Sequence, residues 1–180
     1  IEEMAIKTRK IGIIGAGKIA KILIHILRGF GMNILAYDLY PDYNFARENQ
    51  VVYTSLDELY HSSDIISLHC PLTEETKGMI GAPQIAQMKQ GAVLINTARG
   101  PLVDSMALAH ALKTGQISGA ACDVFEMEPP LPADHPLLHC PNTILTPHIG
   151  FASVESMEQR AEIVFENLYS WLEGKQIHVV

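Results

Sequence analysis

Residues 11–20, Ile-Gly-Ile-Ile-Gly-Ala-Gly-Lys-Ile-Ala, decide the fold of this 180-residue chain. The β-branched run Ile11, Ile13 and Ile14 reads as a short strand, and an apolar-periodic helix begins directly after it. Between them stands Gly15-x-Gly17-x-x-Ala20, and Asp38 follows 21 residues after Gly17, at the end of the next apolar run. A glycine triplet alone says little, but between a strand and a helix, with a spaced acid, it is the fingerprint of a dinucleotide-binding turn. Gly15 permits the tight turn, Gly17 lets backbone approach a pyrophosphate, and Ala20 keeps helix and strand close. The helix N-terminus offers unpaired N–H groups and a positive dipole end to phosphate. At Asp38 a carboxylate can accept hydrogen bonds from a ribose diol.

Outward from that turn, short β-like runs alternate with helical patterns. Strands are expected at 10–15, 33–38, 51–54, 64–69, 91–97, 117–123 and 143–146, and helices near 17–29, 41–49, 55–61, 81–89, 103–114 and 152–173. Such alternation predicts an α/β, doubly wound parallel sheet of Rossmann type, with central strand order 3-2-1-4-5-6 and an added edge strand. In the first helix Ile19, Ile22, Leu23, Ile26 and Leu27 form one stripe, stopped by Gly29 and Gly31. Asp104 is expected to cap the fifth helix and Gly115 to end it. The last helix carries Val154, Met157, Ala161, Val164, Phe165, Leu168, Trp171 and Leu172 on one side, a stripe read as core, with Ser153 as cap and Gly174 as stop. Strands ending at Asp38, His69, Thr97 and Asp123 deliver polar groups to their carboxyl ends, where ligands bind on open α/β sheets.

Composition narrows the class. Hydrophobic residues make up 48% and charged residues 18%, which describes a globular core and not a disordered chain. A net charge of −7 argues against nucleic acid as a partner, since phosphate binding needs a basic face. No apolar run is long enough to span a bilayer, and no secretory signal is evident. Cys70, Cys122 and Cys140 lack paired spacing and read as reduced thiols of a cytoplasmic protein. A start at Ile1 and not at Met is expected of a trimmed or renumbered piece of something longer.

Four further segments go beyond nucleotide binding: Leu68-His-Cys-Pro-Leu-Thr-Glu-Glu-Thr-Lys-Gly78, Leu94-Ile-Asn-Thr-Ala-Arg-Gly100, Cys122-Asp-Val-Phe-Glu-Met-Glu-Pro129 and Thr146-Pro-His-Ile-Gly150. In this order they resemble the D-isomer-specific 2-hydroxyacid dehydrogenase family over nearly the whole chain. The resemblance implies NAD as cofactor, a small 2-hydroxy or 2-oxo acid as substrate, a homodimer, and an Arg, Glu and His set for catalysis. It assigns Arg99 to substrate binding, Glu128 to the acid and His148 to proton transfer. A guanidinium suits that task because it holds a carboxylate bidentately, and an imidazole beside a carboxylate suits proton transfer near neutral pH. It places Asp123 at the nicotinamide end, and Gly15, Gly17, Lys18, Ile19, Asp38, Cys70, Pro71, Thr97, Ala98, Arg99, His148 and Gly150 along the cofactor. Lys18 stands where the family often has Arg, Cys70 where it often has Thr, and Phe151 where a small residue is common. Family members also carry a separate substrate lobe, mostly before the glycine loop. With nine residues ahead of the first strand, residues 1–180 are expected to be the dinucleotide-binding domain without that lobe.

A non-catalytic NAD-sensing module is the alternative reading, because relatives of this fold can report nucleotide state to a partner; the Arg, Glu and His set favours the enzyme. A methyltransferase on a related sheet would explain the glycine loop and Asp38 but not the other segments. His69 is read as packing and Glu126 as structural. His135, His139 and Cys140 lack the further thiolate or imidazole of a recognised zinc pattern, so no metal site is expected.

Overall fold

A computed structural model describes residues 9–127 and 130–179. In chain order its elements are β1 (Lys10–Ile14), α1 (Lys18–Gly29), β2 (Asn33–Tyr37), α2 (Tyr43–Asn49), β3 (Val51–Tyr53), α3 (Leu56–Ser62), β4 (Ile65–Leu68), α4 (Ala82–Gln87), β5 (Ala92–Asn96), α5 (Ser105–Thr114), β6 (Ile117–Cys122), β7 (Thr143–Leu145) and α6 (Val154–Leu172). Every expected strand and helix is present, with ends displaced by a residue or two. Two 3₁₀ turns, Gly100–Leu102 and Pro136–His139, were not anticipated; the second lies in the proline-containing segment between β6 and β7, where no element was expected. The chain divides into two compact units, one ending at His148 and one beginning at Ile149.

In the first unit the seven strands form one parallel sheet in the order β3-β2-β1-β4-β5-β6-β7. That is the predicted 3-2-1-4-5-6 arrangement with an edge strand added. Alternation along β1 shows how both faces are covered. Ile11 and Ile13 join Ala20 and Ile24 of α1 and Ala46 of α2 on one face, with Ile34, Ala36 and Val51. Ile14 joins the cluster of Leu59 and Tyr60 from α3, Ile85 from α4 and Leu108 and Leu112 from α5 on the other, with Ile66, Leu68 and Leu94. Each fully buried Ile or Leu contributes about 1.5–3 kcal/mol relative to exposure. The chain therefore winds outward from β1 on one face, returns to β4 beside it, and winds outward again on the other. The switch between β1 and β4 opens a crevice at their carboxyl ends.

Helix ends follow the sequence chemistry. The Asp104 carboxylate accepts from the Met106 and Ala107 amides, and Gly115 closes α5 at φ 78°. Asp42 and Ser55 accept from Phe45 and Glu58 to start α2 and α3.

The apolar stripe of α1 needs correction. Ala20 and Ile24 are buried and Leu23 and Leu27 half-buried, whereas Ile19, Ile22 and Ile26 are 76%, 63% and 56% exposed. A helix that starts on a glycine turn lies close to its strand, so the small Ala20 takes the first contact. The buried arc then centres one position round from the stripe. In the second unit Ser153 caps α6 by accepting from Ser156, and Gly174 follows it at φ 75°. Its apolar side is not core: α6 buries none of its residues, and Val154, Phe165, Trp171 and Leu172 stand exposed. Among the described residues no helix is long and apolar enough to cross a membrane.

Candidate functional site

Register along the sheet brings the expected residues to one edge. Tyr37 pairs with Ile14, Ile14 with Leu68, Leu68 with Asn96, Asn96 with Cys122, and Cys122 with Leu145. One step further along these strands come Asp38, Gly15, His69, Thr97, Asp123 and Thr146. Six strands about 4.8 Å apart make a rim about 24 Å long, with every loop leaving in the same direction because all strands are parallel.

The glycine loop occupies the switch point. Gly15 sits at φ 93°, and a Cβ there would lie 2.5 Å from the Cys70 amide nitrogen and 2.7 Å from the His69 carbonyl carbon. The turn is thus wedged against the end of β4, and glycine is required both for its backbone angle and for space. Gly17 is different. It has ordinary extended geometry (φ −73°, ψ −168°), and nothing lies within 4 Å of the place a Cβ would occupy. It begins α1 without a side-chain cap, and the first turn of α1 carries no acid. An open space in front of uncapped N–H groups at a dipole's positive end fits a pyrophosphate. Lys18 and Ile19 are exposed on the first turn of that helix.

Asp38 does more than its spacing announces. Its Oδ2 accepts from the Ala16 amide at 2.6 Å and its Oδ1 from the Tyr40 amide at 2.8 Å. The carboxylate therefore braces the glycine loop from the neighbouring strand. A carboxylate has about four acceptor positions, so two remain for a diol. Beside it Lys21 Nζ donates to Asp42 Oδ2 at 2.6 Å, which raises the lysine pKa and lowers that of the aspartate.

At the end of β4, His69 shares a hydrogen bond with Ser67 at 2.9 Å, and burial pushes its pKa down, which keeps the ring neutral. This matches a packing role. Burial pushes the Cys70 thiol up, and Cys70 Sγ lies 3.6 Å from Met79 Sδ. Pro71 is exposed just beyond.

The turn after β5 is built by Asn96, which sequence reasoning left out of the site. This buried amide donates from Nδ2 to the Arg99 carbonyl at 3.0 Å and accepts at Oδ1 from the Ala98 amide at 3.1 Å. Its signal in the sequence is a polar residue closing an apolar strand directly before Thr97-Ala98-Arg99. Thr97 and Arg99 are exposed at the rim, Ala98 is half-buried, and the guanidinium donates to the Ala98 carbonyl. Gly100 then packs so tightly that a Cβ would fall 1.8 Å from the Phe125 carbonyl group.

Asp123 is buried, its amide donates to the Asn96 carbonyl, and its Oδ1 accepts from Thr146 Oγ1 at 2.5 Å. Thr146 is thus a second omitted residue, tying the ends of β6 and β7. Three residues beyond β7, His148 adopts φ 57°, a left-handed conformation costing about 1–2 kcal/mol for a residue with a Cβ. Such outliers gather where function holds them. Glu128 lies outside the described residues, between Met127 and Pro130 on either side of the gap. Gly150 belongs to the second unit.

Known proteins agree with this geometry. The sequence model of the family described as D-isomer specific 2-hydroxyacid dehydrogenase, NAD binding domain, matches residues 1–150. A glyoxylate reductase of Korarchaeum cryptofilum is 47% identical over 167 residues, covering 93% of this chain and 50% of that protein. A hydroxypyruvate reductase of Blautia hydrogenotrophica is 41% identical over 172 residues, covering 96% and 53%. Among solved structures, a D-lactate dehydrogenase with NAD+ from Lactobacillus jensenii superimposes with a TM-score of 0.90 at 34% identity, covering 100% of this chain and 57% of that one. The chain thus spans about half the length of the curated relatives it matches. Turn, spaced acid, strand order and family match converge: this chain belongs to the D-isomer specific 2-hydroxyacid dehydrogenases, as their NAD-binding domain.

Proposed function

We propose that these 180 residues form the dinucleotide-binding domain of an enzyme that interconverts a small 2-oxo acid and its D-2-hydroxy acid. The observation that carries the reading is the single register line that sets Asp38, Gly15, Thr97, Asp123 and Thr146 side by side on the carboxyl rim. Asp38 takes the adenosine ribose, and Gly15, Gly17, Lys18 and Ile19 take the pyrophosphate at the start of α1. Cys70, Pro71, Thr97 and Ala98 line the cofactor further along, and Asp123 serves the nicotinamide end. When bound, the nicotinamide would supply hydride chemistry at the substrate carbon, as donor in NADH and as acceptor in NAD⁺. Arg99, held by Asn96 at the rim, grips the substrate carboxylate and polarises the adjacent oxygen. His148 gives a proton to that oxygen in reduction and takes it back in oxidation, and Glu128 orients the ring. Substrate, hydride and proton balance as 2-oxo acid, NADH and H⁺ giving 2-hydroxy acid and NAD⁺.

The facing wall of the cleft belongs to a substrate lobe outside these residues; the support is that the curated relatives are about twice as long. Glyoxylate and hydroxypyruvate are the substrates to try first, from the names of the relatives. The exposed Ile22 and Ile26 on α1, with Phe30 directly after it, support a homodimer, and three free cysteines support a reducing, cytoplasmic setting. The test is NADH oxidation by the full gene product over a panel of 2-oxo acids, beside the variants Arg99→Ala and His148→Ala. Turnover lost at least about 100-fold in both variants, with NADH binding kept, is the expected result. NADH binding without turnover of any acid favours the sensing reading, and unaltered turnover in either variant refutes the assignment.

A further inference from the structure

The Arg99 turn and the acidic loop share an anchor that the catalytic assignment leaves unexplained. His135 is buried, with 2% of its side chain exposed, at the start of the 3₁₀ turn Pro136–His139. Its Nδ1 accepts from the Leu137 amide at 3.4 Å, so the ring proton sits on Nε2, which donates to Glu126 Oε1 at 3.1 Å. The other oxygen, Oε2, accepts from Ser105 Oγ at 2.8 Å, on the first residue of α5. Burial pushes the Glu126 carboxyl up, but hydrogen bonds from its own amide, Ser105 and His135 outweigh this and hold it below the usual range. The Phe125 ring meets the His135 ring edge-on, centroids 5.6 Å apart. Glu126 was read as structural and His135 only as no metal ligand; together they join a helix start, a 3₁₀ turn and the loop between them.

Two observations connect this cluster to the chemistry. Phe125, the neighbour of Glu126, is the residue against which Gly100 packs with no room for a Cβ, and Gly100 directly follows Arg99. The same backbone stretch runs on into Glu126, whose amide nitrogen would lie 2.5 Å from a Cβ on Gly100. Immobilising Glu126 therefore restrains the turn that carries Arg99. The cofactor's phosphates and adenosine ribose have separate supports, in the glycine loop, α1 and Asp38.

We propose that Ser105, Glu126 and His135 are positioning residues: through the Phe125–Gly100 contact they fix the turn carrying Arg99. The inference rests on the dehydrogenase reading above. None of the three touches substrate. Their effect is on geometry, where a misplacement of about 1 Å can cut turnover about 100-fold.

The test compares Glu126→Ala, Glu126→Gln and His135→Gln with the parent full gene product. NADH affinity, kcat and KM for a 2-oxo acid, and amide exchange over residues 97–102 and 125–138 are measured together. Glu126→Ala is expected to keep NADH affinity within about threefold, lower kcat about 10- to 100-fold and speed exchange in both segments. Glu126→Gln, whose amide oxygen still accepts a hydrogen bond, is expected to recover most of kcat. Should Glu126→Ala not fold, Glu126→Gln beside Ser105→Ala carries the same comparison. Parent-like kcat in Glu126→Ala, exchange unchanged in both segments, or a fall in kcat only matched by lost NADH binding each overturn the proposal. A parent that binds NADH but reduces no 2-oxo acid overturns the dehydrogenase reading instead, and the exchange comparison still judges the anchor.

Discussion

Replacing Gly15 and Gly17 separately with alanine should give opposite results, although the two residues share one turn. At Gly15 an alanine must hold φ 93°, which costs about 1–3 kcal/mol for a residue with a Cβ. Its methyl must also displace the His69–Cys70 backbone from 2.5–2.8 Å, an overpacking cost of about 1–3 kcal/mol. Taking about 4 kcal/mol for the two together, and about 2–4 °C per kcal/mol at this chain length, Tm should fall about 8–16 °C. At Gly17 the backbone suits any residue and the space is open. Loss of a good N-cap there costs at most about 1 kcal/mol, so Tm should stay within about 4 °C. The added methyl then stands where the pyrophosphate must approach, and NAD affinity should weaken about 10- to 100-fold, or about 1.4–2.8 kcal/mol. Thermal unfolding and calorimetric NAD titration of both variants read the two effects apart. Wild-type NAD affinity in Gly17→Ala would show that the open space does not belong to the cofactor. An unshifted Tm in Gly15→Ala would refute the strain argument.

Three further outcomes are expected. Asp38→Ala removes both the brace on the Ala16 amide and the diol acceptor, so NAD affinity should fall about tenfold, while NADP, whose 2′-phosphate the carboxylate repels, should not lose affinity to the same extent; calorimetry with both nucleotides decides it. Burial pushes the Cys122 thiol up to about 12, so it should resist alkylation in the folded protein, while unfolding exposes it; mass spectrometry after timed labelling checks this. Burial raises the Asp64 pKa, but hydrogen bonds from the Lys10 amide and Lys89 and the nearby Arg9 charge outweigh it and leave the value below the ordinary 3.8. A depressed carboxylate pKa gives stability that is present above the unfolded value and lost as pH falls through the folded one. Between pH 5 and 2 the Tm of the parent should therefore decline more steeply than that of Asp64→Asn, and parallel curves would contradict this.

Sequence by itself determined the elements, their order and the rim. Strands and helices such as β1 and α5 were legible because they rest on short-range physics: β-branched runs, caps and glycine stops within a few residues of one another. Parallel order then followed from alternation, and the rim from the order. Side-chain partners were decided only in the tertiary structure, because they join residues far apart in the chain. Periodicity marked α1 as a helix but set its stripe one position off the buried arc, since close packing against β1 favoured Ala20 and Ile24 over Ile19, Ile22 and Ile26. Spacing found Asp38 but not its grip on Ala16, and the motif around Arg99 did not reveal that Asn96 holds the turn. The sequence marked Glu126 as structural and His135 as no metal ligand, without joining the two. Nine residues apart, their meeting depends on how the Pro-rich segment closes over α5, a matter of packing that local pattern does not encode.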